Sequence, residues 1–209
     1  IIIAGGMHFS YTSQESLAIC KEIDYIIIGE GELSILELIN KLEAGKNKSD
    51  MSEVEGLAYM LGDKLIKTAP RPLIEDIDSL PMPAYHLLPL DKIRRWPLVL
   101  KGRLGCTFSR GCSYRCKFCS SSNFWGRTVR RRSAVNIVNE LELLVKKYKQ
   151  KAFLFGDDDF LYNKIRSIEF LDELEKRKLK IKFGIKTRVN DIIKNKDLLE
   201  RFRESGLIS

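Results

Sequence analysis

The sequence predicts an α/β fold in two parts, each built on a parallel sheet with covering helices and joined by a proline-rich connector. Three observations predict it. Short apolar runs alternate with stretches of helical periodicity over residues 1–45, and the same alternation resumes from about residue 101. Between them lie all six prolines of the chain, from Pro70 to Pro97. Proline fixes φ and removes a donor, so that stretch is expected to lie over other surfaces rather than in the centre of a sheet.

In chain order, Ile1 to Ala4 is an apolar run ending in Gly5 and Gly6. Thr12, followed three residues later by Glu15, predicts a capping box for a short helix reaching Cys20. Tyr25 to Ile28 is a second strand that breaks at "GEGE". In the helix after it, Leu33, Leu36, Leu38, Ile39 and Leu42 make one broad apolar side. "GLAYMLGDKLIKT" predicts a β-hairpin turning at Gly62 and Asp63, and with the proline-rich stretch it forms an expected connector over 46–100.

Beyond it, "RLGCTFS" predicts a strand leading into a cysteine-rich loop. Ser133 is placed to cap a helix whose Val135, Val138, Leu141 and Val145 recur at helical spacing. "KAFLFG" predicts a buried strand, "NKIRSIEFLDELEKRK" a helix and "IKFGIKTRV" a third strand. "NKDLLERFRES" predicts a helix closed by Gly206. Three consecutive strand–helix units over 101–209 are expected to begin a β/α barrel or a second parallel sheet.

The composition, 44% hydrophobic and 31% charged over 209 residues, excludes disordered and collagen-like states. No targeting segment is visible at "IIIAGGMHFS", and Ile1 to Ala4 is too short to span a bilayer. The chain is expected to be a piece of something longer. Five unevenly spaced cysteines do not make a secreted disulfide framework and point to reduced thiols in the cytoplasm. The net charge of +8 is spread along helices among acidic residues, except at Arg127, Arg130, Arg131 and Arg132, where it could meet phosphates.

The chemistry concentrates in "RGCSYRCKFCSS", where Cys112, Cys116 and Cys119 are separated by three and then two residues. Such spacing could be one face of a helix, but glycine and serine around it are poor helix material. It could be part of a zinc site, which wants four ligands and would have to recruit Cys106. It could hold an iron–sulfur cluster by three thiolates, leaving one iron open to a substrate or cosubstrate. Nearby, "FGDDDF" places Asp157 and Asp158 at the carboxyl end of a strand, where βα-loop sites are built and a carboxylate suits an ammonium group; the competing reading is a helix cap. On the third strand, Lys182, Gly184, Lys186 and Arg188 share one face, expected to be the barrel interior, which makes Arg188 a candidate partner for a carboxylate.

The C-x-x-x-C-x-x-C loop after the first strand of a β/α barrel, with Phe118 before the last cysteine, resembles the radical S-adenosylmethionine enzymes. The resemblance implies that Cys112, Cys116 and Cys119 hold a [4Fe-4S] cluster whose open iron is chelated by S-adenosylmethionine, and that Phe118 lies near the adenine. It also implies that Asp157 and Asp158 stand where the superfamily often has a Gly-Gly-Glu type motif. The "AGG" at Gly5 and Gly6, the connector and the cysteine loop match the layout of the subclass with a cobalamin-binding domain. Residues 1–45 are then expected to be the last part of a Rossmann-like cobalamin-binding domain, and 101–209 the first half of a partial (β/α)6 barrel. The activity that the resemblance implies is radical chemistry on a small or lipid-like organic substrate, by cobalamin-dependent methylation or by cyclisation or rearrangement, with flavodoxin or ferredoxin as electron donor. RNA modification, or a non-catalytic iron–sulfur or zinc module, are the alternatives, and nucleic acid is the less favoured partner.

Overall fold

In the computed structural model, which describes residues 1–95 and 102–209, the chain divides into two compact units. One is Ile1–Glu75 together with Asn123–Trp125, and the other is Asp76–Ser122 together with Gly126–Ser209.

The first unit contains β1 (Ile3–Ala4), α1 (Met7–Tyr11), α2 (Ser13–Ile19), β2 (Tyr25–Ile27), α3 (Glu32–Glu43), β3 (Leu57–Leu61) and β4 (Lys64–Lys67). Its sheet has the order β1-β2-β3-β4, parallel between the first two strands and antiparallel thereafter. All three residues of β2 are buried because both faces of the sheet are covered. Tyr25 and Ile27 pack with Leu38, Met51 and Val54, whereas Ile26 turns to Leu17 and Ala58. The hairpin at Gly62 forms, but it belongs to this sheet, since Ile26 and Ile27 pair with Ala58 and Leu57. The unit boundary therefore falls at Glu75, inside the stretch expected to be connector.

Two local expectations for this unit change. The Thr12 side chain makes no capping bond to α2; its hydroxyl donates instead to the His8 carbonyl at 2.9 Å, because α1 ends directly before it. Of the apolar residues on α3, Leu38 is fully buried and Leu42 half-buried, while Leu33, Leu36 and Ile39 are exposed.

The second unit opens with α4 (Leu90–Arg95); residues 96–101, the end of the expected connector, lie outside the described residues. Connector residues Tyr85 and Leu90 are buried in this unit's core. It continues with β5 (Leu104–Cys106), β6 (Ser109–Arg110), the start of α5 (Ser121–Phe124, whose last two residues count with the first unit), β7 (Arg130–Arg131), α6 (Ala134–Tyr148), β8 (Ala152–Phe155), α7 (Lys164–Lys176), β9 (Lys182–Gly184), α8 (Val189–Lys194) and α9 (Leu199–Glu204). β5, β8 and β9 form a parallel sheet in that order, with Leu104, Phe153 and Phe183 in register. Leu207 bridges to Phe183 in parallel, so a further strand position begins beside β9.

The helix-covered face of this sheet is strongly aromatic. Phe108, Phe153, Phe155, Phe160, Phe170, Phe183 and Phe202 are all buried, and Phe155 stacks on Phe183 with ring centroids 5.0 Å apart. Each buried phenylalanine contributes up to about 3 kcal/mol by removal from water, which fixes the strand ends that carry the site. Ser133 caps α6 by accepting from the Asn136 amide, as its position predicts.

Candidate functional site

The cysteine loop is a closed excursion from the sheet. β6 and β7 pair antiparallel, Ser109 with Arg131 and Arg110 with Arg130, and tie its two ends together. Between them Cys112, Cys116 and Cys119 lie in irregular backbone, so the helix-face reading fails. All three thiols are free and half-buried, and burial raises the pKa of Cys112. The Cys119 amide donates to the Cys116 carbonyl at 3.0 Å, closing a turn at whose apex Phe118 is 93% exposed.

Cys106 points the other way. It is buried in the core, 3.9 Å from the Tyr85 hydroxyl, and burial pushes its thiol up to about 12. A four-thiolate zinc site thus loses the ligand it would have needed. Among the described residues no three His, Cys, Asp or Glu side chains converge as ligands of one ion. A cuboidal four-iron cluster makes a different demand, since each thiolate binds a different iron and the thiols need not share one ion.

The three aspartates after β8 each tie a different neighbour. Gly156 brings them close: its amide donates to the Cys106 carbonyl at 2.7 Å, and a Cβ there would lie 2.5 Å from Thr107 Oγ1. Asp157 is fully buried and accepts from Ser109 Oγ, from the Phe108 amide at 3.2 Å and from Arg166 Nη2 at 3.5 Å. It anchors the root of the cysteine loop and is sealed from solvent, whereas the sequence groups it with Asp158 as a partner for a cosubstrate ammonium. Asp158 is exposed and accepts from Ser121 Oγ at 2.5 Å, two residues past Cys119. Asp159 is buried, accepts from Thr187 Oγ1 at 2.6 Å, and has its pKa raised by burial.

The third strand ends earlier than its pattern predicts. Thr187 is bound by Asp159, and the Phe160 amide donates to the Lys186 carbonyl at 3.0 Å, drawing the chain out of the sheet after Gly184. Arg188 consequently lies on no strand face but just before α8. Its guanidinium sits 3.8 Å from the Tyr114 ring centroid, and Nη1 donates to Cys116 Sγ at 3.1 Å. The Tyr114 hydroxyl donates to Asp191 Oδ2 at 2.8 Å, and its ring meets Tyr162 edge-on. Tyr114, Asp159, Thr187 and Asp191 carry no motif signal. Tyr114 and Asp159 sit beside residues that do; Thr187 and Asp191 become visible only through the fold.

At the end of β1, Gly6 has φ +87°, and nothing lies within 4 Å of a Cβ built there. A side chain at Gly5 would meet Ile27 only at ordinary contact distance. A groove of about 540 Å³, lined by Lys178, Lys180, Ile181 and Glu204, lies at the opposite end of β9 from the cysteine loop.

Residues 106–209, from the last residue of β5 through the cysteine loop to α9, match the family model of the radical SAM superfamily. The chain belongs to the radical S-adenosylmethionine superfamily. It is 35% identical over its whole length to the anaerobic magnesium-protoporphyrin IX monomethyl ester cyclase of Rubrivivax gelatinosus, of which it spans 37%. It is 33% identical over 98% of its length to an uncharacterized methyltransferase of Pyrococcus horikoshii, spanning 43% of that protein. The cobalamin-dependent S-adenosylmethionine radical enzyme OxsB, solved with aqua-cobalamin and S-adenosylmethionine bound, shares the fold over 99% of this chain and 30% of its own, with a TM-score of 0.77 at 22% identity. The chain thus spans about two fifths of the curated relatives it matches. The α/β fold and the radical SAM assignment expected from the cysteine loop both hold. Among the described residues no helix is long and apolar enough to cross a membrane.

Proposed function

We propose that Cys112, Cys116 and Cys119 hold a [4Fe-4S] cluster in an enzyme that starts radical chemistry on a small organic substrate, by methylation or by oxidative ring closure or rearrangement. The observation that carries the reading is the tethered loop itself: three free thiols on one excursion at the carboxyl end of a parallel sheet, with Cys106 turned into the core. When bound, a cluster with an open iron supplies the electron that splits the sulfonium of S-adenosylmethionine to a 5′-deoxyadenosyl radical.

The chain's own residues would position that cosubstrate. Asp158, exposed beside the helix after Cys119, suits its ammonium group. Phe118, at the loop apex, is free to lie against the adenine. The relatives, a magnesium-protoporphyrin monomethyl ester cyclase and a methyltransferase, support ring closure and methyl transfer as the two outcomes. Cobalamin is proposed for the first unit, where Gly5 and Gly6 end a parallel strand and the open space over Gly6 leaves its backbone approachable. A flavodoxin or ferredoxin is the proposed electron donor, and the five free thiols suit the reducing cytoplasm.

The test is anaerobic reconstitution with iron and sulfide, read by EPR of the reduced chain with and without S-adenosylmethionine. The expected result is a four-iron signal that changes on adding the cosubstrate, is lost in C112A, C116A and C119A, and survives in C106A. A signal indifferent to S-adenosylmethionine, or loss of the cluster in C106A, overturns the assignment.

A further inference from the structure

We infer that Arg188 is a positioning residue for the cysteine loop, held against Cys116 by Tyr114, and that it makes the cluster easier to reduce. The inference rests on the proposed cluster site and adds to it a residue that sets its potential.

Four side chains from two separate elements make one chain of contacts. Asp191, buried on α8, accepts from the Tyr114 hydroxyl at 2.8 Å. That bond fixes the Tyr114 ring, on whose face the Arg188 guanidinium lies 3.8 Å from the centroid. Stacked there, the planar group cannot swing away, and Nη1 is delivered to Cys116 Sγ at 3.1 Å. Tyr162 also meets the Tyr114 ring edge-on and carries Arg131 on its own face. The Arg188 charge also reaches Cys112, but its N–H bond goes to Cys116.

A hydrogen bond from a permanent cation to a ligand sulfur matters most when the cluster carries its extra electron. Reduction is a one-electron step in which a low-potential donor adds one negative charge to the cluster and its thiolates, with no bond made or broken. The guanidinium charge and its N–H···S bond stabilise that added charge more than they stabilise the oxidised form, so they raise the potential. Lysine offers the charge without the fork or the stacked plane and should restore only part of the effect. Tyr114→Leu keeps the arginine but removes its platform and its tether to Asp191, and should shift the potential in the same direction.

The experiment is an EPR-monitored redox titration of the reconstituted chain against dithionite with mediators, in wild type, R188Q, R188K and Y114L, with iron and sulfide contents measured on the same samples. The expected result for R188Q is at least about a tenfold loss in the equilibrium constant for reduction, a fall of roughly 59 mV or more for a one-electron couple. R188K should fall between R188Q and wild type, and Y114L should fall below wild type. A change of less than twofold in R188Q at full iron content overturns the inference and leaves the cluster assignment standing. If R188Q loses iron, wild type against Y114L decides by the same criterion. A wild-type chain that assembles no four-iron cluster removes the site reading itself.

Discussion

Asp157 shows how a residue of the right type in the right place can be committed to the fold. Its carboxylate is fully buried against Arg166, itself buried, and it also holds the Phe108 amide and the Ser109 hydroxyl. Truncating it would leave the guanidinium uncompensated away from water, a loss that typically costs about 3–5 kcal/mol. D157A is therefore expected to lower unfolding stability by about 3 kcal/mol in urea and to loosen the root of the cysteine loop. D158A, next to it but exposed, should change stability by less than about 0.5 kcal/mol while weakening the spectral response to S-adenosylmethionine. Equal destabilisation by the two variants would show that burial does not separate their roles. The same reasoning applies to the arginines of β7 and its flank. Arg130 is buried, Arg131 lies over the Tyr162 ring, and Arg132 pairs with Glu140 and Asn136.

Among the elements, those with a strong period or an unambiguous cap were legible. α6 and α7 were, because their apolar spacing continues for three turns or more and Ser133 marks one start. α8 was not: six residues, with Val189, Ile192 and Ile193 exposed and Asp191 buried, invert the pattern that reveals a helix. The end of β9 was misplaced for a tertiary reason, since the bond from Thr187 to Asp159 leaves no trace in local alternation. Of the candidate site, the irregular backbone of the cysteine loop was legible from its glycine and serine neighbours. Its tether to Arg188 was not, because it joins residues 72 positions apart. Gly206 is the clearest case of a local signal with a tertiary cause. It comes after α9 with φ +110°, and a Cβ there would fall 1.9 Å from the Ile181 carbonyl oxygen, at the entry to β9. G206A is expected to cost about 2 kcal/mol or more, seen as a lowered thermal midpoint with the α9 end and the Phe183–Leu207 bridge losing amide protection. A variant as stable as wild type would mean that the backbone relaxes there freely.

For the whole molecule, the sign and placement of charge decide between an enzyme of small molecules and one of RNA. A net charge of +8 raises non-specific attraction to any polyanion. Affinity for phosphates, however, requires cations that can exchange water for a phosphate oxygen, and the densest arginine cluster is largely committed inside the protein. Of its four members only Arg127 is exposed, and the remaining positive charge alternates with carboxylates, as in the pairs Arg177 with Glu142 and Arg201 with Asp172. Single-stranded RNA releases counterions in proportion to the phosphates neutralised, so the logarithm of affinity against the logarithm of salt should have a slope no steeper than about −2, roughly three phosphates. Fluorescence anisotropy of a labelled RNA between low and physiological salt measures it. A slope several times steeper, lost on substituting Arg130 or Arg131, would mean that these side chains leave their buried and stacked positions to meet RNA, and would make nucleic-acid modification the favoured activity.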